Sequence, residues 1–437
     1  MDIKRTPANA MYRKAKRFSA ALSDVRRLFT MLVLMNLCAL TLLGGTNKGQ
    51  LLAILLPIND HKFSTAWAGT NGVGGQNRSK GKPLGDHYLL LVNTAIARLM
   101  DSGKMLQFNE SSYDGLAVAF WHAYDTSPVP SVKEMDAKIA DWKKLTKKDI
   151  WPWVYINRMV GVDAREKNSY TNDPYFHHIQ GADLDDNAGA RKDFLEDWKN
   201  ALQVAKDSHS PGIVCDLEFY NYHKEYDIGE LAQQSEKKPQ DVAALLKDLG
   251  ARMADIAAER FPDATLWFLF TGFGYPAFKT IENQPYYPSP TYIAMGLLDE
   301  IQKKNYRLKV ISGGEGSLAY CHSSVEQFRE AIEKRAAKFA PQLSKYAGIL
   351  ELSGTMTLWS EPSAKKGFLS EGDCGTATAA TVEDLEPYVE LLLKSFRYNW
   401  IYGSADGGYR AFDPQSAPRF DAVISKARSR VIANSAH

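Results

Sequence analysis

From Tyr113 to Tyr402 the chain alternates short apolar runs with longer amphipathic stretches, and this alternation most narrows the folds open to it. Apolar runs of roughly four to eight residues bounded by turn signals read as strands. Seven such runs stand out: 113–121, 151–158, 212–220, 265–271, 308–315, 348–353 and 398–403. Helical periodicity covers His87–Met105, Asp193–Ala205, Val242–Arg260 and Tyr292–Lys304. Three further helices open on cap signals: Ser131-x-x-Glu134, Ser324-x-x-Gln327 and Thr381-x-x-Asp384. Strands that alternate with helices predict a parallel sheet with helices outside it.

An open doubly wound sheet and a (β/α)8 barrel both satisfy that pattern. No strand runs into a GxGxxG or GxxxxGK[ST] loop. Polar and aromatic residues instead recur at the C-terminal ends of nearly all the strands, where barrels build their sites. The expectation is an α/β fold, a TIM-type (β/α)8 barrel over residues 85–437, with one strand of the eight hidden in the pattern.

The basic residues gather ahead of this region. Lys4, Arg5, Arg13, Lys14, Lys16, Arg17, Arg26 and Arg27 precede an apolar run from Met31 to Leu43. A second apolar run, Leu51–Leu56, leads to Ala66-Trp67-Ala68. That order of basic, apolar and small residues reads as a secretory signal or membrane-anchoring leader over 1–68, and Gly-, Asn- and Ser-rich residues 69–84 read as a linker. The expected location is secreted or periplasmic/cell-envelope, with membrane contact only through an uncleaved leader. A net charge of +2 without a basic stripe in the body argues against nucleic acid. Of the four cysteines, only Cys321 and Cys374 could bridge, and no Cys/His spacing suggests zinc.

The run Gly212-Ile213-Val214-Cys215 ends in Asp216-Leu217-Glu218-Phe219-Tyr220. Alternation places Val214, Asp216, Glu218 and Tyr220 on one face, and Cys215 and Leu217 on the other. Two clustered acids on an apolar strand cost desolvation and repulsion, so the pattern points to acid/base chemistry, sugar hydroxyls or a cation. The other strand ends offer Trp121; Tyr155, Asn157 and Arg158; Glu315; Glu351; and Trp400, Tyr402 and Asp406. Structural readings stand beside these: an ion pair of Asp216 and Glu218 with Arg158, a salt bridge for Glu351, a turn role for Asp406, and core packing for the tryptophans. No GxSxG elbow supports an esterase. Asp183–Gly189 lacks the spacing of a calcium loop. No metal or cofactor is expected.

Residues Gly85–Pro414 resemble the superfamily of (β/α)8-barrel glycoside hydrolases, on Asp216-Leu217-Glu218, Trp151-Pro152-Trp153, Tyr113-Asp114-Gly115 and Trp400-Ile401-Tyr402 with Asp406. The resemblance selects no particular family: Leu217 stands before Glu218 where many retaining barrels carry Asn, and DxxDxDxE is missing. It implies an exported enzyme cleaving an oligo- or polysaccharide, with Glu218 as acid assisted by Asp216, Glu351 as nucleophile or base, and Glu315 in reserve. Trp121, Asn157, Tyr155, Arg158, Tyr220, Trp400, Tyr402 and Asp406 would bind sugar. A carbohydrate-binding barrel without turnover is the alternative, as is another hydrolase or a transferase on this fold.

Deleting residues 1–68 is expected to leave the melting temperature unchanged within error. A loss of several degrees in a thermal melt would show that the leader packs on the body.

Overall fold

The apolar runs carry little alternation of apolar with polar, as expected of strands covered on both faces, and eight of them pair in parallel to close a barrel. The computed structural model describes residues 84–96, 100–121, 130–156, 158–159, 176–177, 184, 189–218, 227–273, 279–281, 284–318, 322, 324–357, 381–403, 412 and 417–435. The barrel strands are β1 Tyr88–Ile96, β2 Gly115–Trp121, β3 Asp149–Tyr155, β4 Gly212–Asp216, β5 Thr265–Phe268, β6 Lys309–Ser312, β7 Leu350–Thr357 and β8 Tyr398–Tyr402. Each pairs with its neighbours in sequence, and β1 closes the ring on β8, Tyr88 opposite Tyr398.

The helices are α1 Ser102–Glu110, α2 Val132–Lys143, α3 Gly189–Asp207, α4 Ile228–Ser235, α5 Pro239–Arg260, α6 Ser289–Lys304, α7 Glu315–Leu318, α8 Val325–Lys345, α9 Glu386–Ser395 and α10 Ala417–Ser435. The capping box forms as the sequence predicts: Ser131 Oγ accepts from Glu134 N, and Glu134 accepts from Ser131 N. Ser324 likewise accepts from Gln327 N at the start of α8. None of the helices among the described residues is long and apolar enough to cross a membrane.

The hidden strand is β1. The sequence predicts a helix over His87–Met105, whereas Tyr88–Ile96 is a strand and the helix begins only at Ser102, capped by Asp101. Tyr88-Leu89-Leu90-Leu91-Val92 is apolar at each position, so its periodicity does not separate a buried strand from a buried helix. Burial of Leu89 and Leu91 against the helices, and of Tyr88, Leu90 and Val92 inside the barrel, settles it. The expected leader, Cys321, Cys374 and the Asp183–Gly189 loop, apart from Leu184 and Gly189, lie outside the described residues.

Strand alternation divides the core in two. Leu116, Val118, Ile150, Val154, Ile213, Cys215, Leu266, Phe268, Leu350 and Leu352 pack outward under the helices. Tyr88, Ala117, Ala119, Trp151, Trp153, Val214, Trp267, Ile311, Tyr398 and Trp400 fill the barrel. At its N-terminal end Tyr88, Trp151, Trp267 and Tyr398 interlock, with ring centroids 5.7 Å apart for Trp151–Trp267 and 6.2 Å apart for Tyr88–Trp151, Tyr88–Trp267 and Trp267–Tyr398. Their polar edges are satisfied in place: Trp151 Nε1 donates to Tyr88 Oη at 2.9 Å, Tyr88 Oη to Asp149 at 3.1 Å, and Trp267 Nε1 to Ser353 Oγ at 3.2 Å. Burial and the Asp149 charge hold the Tyr88 hydroxyl well above its ordinary pKa, so it stays a donor.

Outside, α5 and α6 meet at two glycines. A Cβ on Gly250 would lie 1.9 Å from Ile293 O, and one on Gly296 1.9 Å from Lys247 O. Both contacts are with backbone, which has no rotamer to yield. Gly250→Ala is therefore expected to cost about 2 kcal/mol or more, at the upper part of the overpacking range, read as a lowered midpoint in urea. An unchanged midpoint would mean that the two helices part without cost.

Candidate active site

Three carboxylates meet at the C-terminal mouth. Asp216 is the last residue of β4, level with Tyr155 of β3 and buried to 1% exposure. Its Oδ1 accepts from Glu218 N at 2.8 Å, turning the chain as the strand ends. Leu217 between them is buried in the outer core, so Asp216 and Glu218 leave the strand on the barrel side as alternation predicts. Burial and the adjacent Asp216 charge both raise the Cys215 thiol well above its ordinary pKa, which leaves it a packing residue.

Glu315 arrives from β6, two strands away, because backbone bonds carry it across β5. Leu269 N donates to Cys215 O at 2.9 Å, and Glu315 N donates to Leu269 O at 3.2 Å. Gly313 lets that turn close: a Cβ there would lie 2.5 Å from Phe268 O and 2.6 Å from Leu269 Cα. One carboxylate oxygen each of Asp216, Glu218 and Glu315 then lie within 4.8 Å of one another. Like charges this close favour sharing a proton, so that one carboxyl stays neutral while another is ionised. The same spacing would suit a divalent cation held by three oxygens.

Glu351 does not join them. It is the second residue of β7, beside Tyr398, the first residue of β8, whose hydroxyl is pushed up to about 12 by burial and by the Glu351 charge. Asp86 and Arg397 share that N-terminal end and pair at 3.0 Å. The apolar run in the sequence ends at Ser353 and would set Glu351 near the strand's top; β7 instead runs on to Thr357. The expected Glu218–Glu351 pair is thus replaced by Glu218 with Glu315.

Tyr155 lines the barrel beside Asp216, its ring stacked on Trp153 with centroids 4.7 Å apart. Trp400 is wholly buried and its Nε1 donates to Gly313 O at 2.9 Å, which makes it a wall of the core and not an exposed stacking platform for sugar. Tyr402, at the end of β8, is half-buried. Trp121 ends β2, and Arg158 pairs with His177 in a two-residue ladder; their side chains lie outside the described residues, as do Asn157, Tyr220 and Asp406.

No family model and no curated protein matches the chain. Among solved structures it is similar to a family 5 xyloglucanase from Paenibacillus pabuli, at 8% identity and TM-score 0.42, over 79% of this chain and 98% of that one. It is similar also to an endo-beta-mannanase/endo-beta-glucanase from Prevotella bryantii, at 12% identity and TM-score 0.43, over 78% of this chain and 48% of that one. A sugar phosphate isomerase/epimerase from Parabacteroides distasonis gives 11% identity and TM-score 0.35, over 80% of this chain and 94% of that one. Likeness at this level carries no functional argument. The strand order itself defines the class, a (β/α)8 barrel.

Glu351→Gln is expected to leave ligand affinity or turnover at the C-terminal mouth within about twofold, since a group near the start of β7, level with Trp267 of the N-terminal aromatic layer, reaches no reacting atom at the mouth. A loss of tenfold or more in a binding or rate assay would return Glu351 to the site.

Proposed function

We propose that the protein is an exported hydrolase of an oligo- or polysaccharide, with Glu218 as general acid, Glu315 as nucleophile and Asp216 as the neighbour that keeps Glu218 protonated. The observation that carries this reading is the meeting of three carboxylate oxygens within 4.8 Å at the end where barrels do chemistry. Cleavage of a glycosidic bond needs one carboxyl to protonate the leaving oxygen and one carboxylate to attack or to activate water. Asp216, buried and accepting from Glu218 N, is fixed too deeply to reach a leaving group and acts as a charge. A like charge at this range raises the pKa of its neighbour, which suits Glu218 as the acid. Oxygens of Glu218 and Glu315 within 4.8 Å of each other fall short of the about 6.5–9.5 Å that inverting enzymes keep for a water, so the anomeric configuration should be retained.

The deciding experiment screens the chain lacking residues 1–68 against plant, algal and microbial polysaccharides. On a substrate with a poor leaving group, Glu218→Gln should lower turnover by about two orders of magnitude or more while the fold is kept. Near-normal turnover of that variant would rule out the assignment, and inversion seen by proton NMR of the first-formed product would rule out Glu315 as nucleophile. The spacing of the three oxygens favours one second reading, a divalent cation acting on a sugar; turnover abolished by a chelator and restored by Mg²⁺ or Mn²⁺ would select it.

A further inference from the structure

The buried stripe of α8 reads Phe328, Ile332, Arg335, Phe339, with a cation in the middle of an apolar face. Arg335 is 1% exposed, and the described residues give it no carboxylate; its partners are carbonyls and rings. One Nη donates to Ser353 O and the other to Ser312 O at 2.7 Å, while the guanidinium carbon lies 5.1 Å from the Phe339 ring centroid and 5.5 Å from that of Phe396. Burial pushes its pKa down to about 9. A buried charge to which the described residues offer only carbonyls and rings is expensive, so its position calls for a reason beyond packing.

The position supplies one. Strands β6 and β7 last pair at Ser312 and Leu352, and the guanidinium fork takes over where they part, bridging the last carbonyl of β6 to that of Ser353 on β7. The chain then turns through Gly313 and Gly314 into Glu315. Gly314 sits at φ +87°, and a Cβ there would lie 2.5 Å from Arg335 Cζ and 2.8 Å from both Nη atoms. Only glycine allows this turn to rest on the guanidinium. The turn is thus gripped from two sides, by Phe268 and Leu269 of the β5 segment and by Arg335 of α8.

We propose that Arg335 is a positioning residue for Glu315: its fork fixes the end of β6 and the Gly313–Gly314 turn, and so sets the distance from Glu315 to Asp216 and Glu218. The inference rests on the reading above, in which these carboxylates are the working groups. Lysine keeps the charge and most of the stem but has no planar fork to span two strands. Arg335→Lys should therefore lower kcat by about 10- to 100-fold, the cost of displacing a reacting group by about 1 Å, with KM changed less than about threefold. Amide hydrogen exchange should speed up at residues 313–318 and stay unchanged at β1–β3. Gly314→Ala presses on the same contact from the turn side and should give the same split, so a misfolded lysine variant leaves the test intact. Unchanged exchange at residues 313–318 in a folded variant would overturn the role, as would kcat retained within twofold. Should the parent chain cleave no glycan, the functional reading fails, and the exchange of this turn still decides what Arg335 does.

Discussion

The barrel depends on the aromatic layer that plugs its N-terminal end. Tyr88, Trp151, Trp267 and Tyr398 come from β1, β3, β5 and β8, so one interlocked group ties strands from around the ring. Edge-on and tilted contacts at these separations each add about 0.5–1.5 kcal/mol beyond the area they bury. Rings this large fit because β2 contributes Gly115, Ala117 and Ala119: a Cβ on Gly115 would lie 2.2 Å from Tyr88 Oη and 2.9 Å from Trp151 Nε1. The Trp151 indole is answered by Tyr88 Oη, the Tyr88 hydroxyl by Asp149 and the Trp267 indole by Ser353, so these three rings are buried with their polar groups satisfied.

Trp153, Tyr155 and Trp400 continue the buried filling toward the C-terminal end, and the carboxylates collect there at the strand ends. Their meeting is a matter of backbone more than of side-chain reach. A relay of main-chain bonds, Cys215 to Leu269 to Glu315, draws the end of β6 toward that of β4, and Gly313 removes the atom that would block it. Arg335 then closes the gap that opens between β6 and β7. The catalytic reading thus relies on three kinds of constraint that alternation alone does not describe: a missing Cβ, a main-chain relay through Leu269 and a buried guanidinium.

Most of the fold was legible because seven of the eight strands keep turn signals at their borders. Tyr88–Ile96 was not, since a run apolar on both faces fits either period and only the closed ring shows which one is used. The inward direction of Asp216 followed from alternation, and Leu217 in the outer core agrees with it. The level of Glu351 along β7 did not follow, because strand length is set by pairing with β8 as far as Thr357, opposite Tyr402, beyond the apolar run that ends at residue 353. Arg335 left a trace in the sequence, an arginine at the third position of an otherwise apolar helical stripe. Its meaning lay in Gly314, some twenty residues earlier, and no local pattern links the two.

The aromatic plug also fixes where a ligand can be held. Trp153, Tyr155 and Trp400 continue the buried filling above the four interlocked rings, so the barrel is a solid post and not a vessel. A ligand that meets Glu218 and Glu315 meets them on the rim. Breadth across that rim, not depth, then sets how much of it is held.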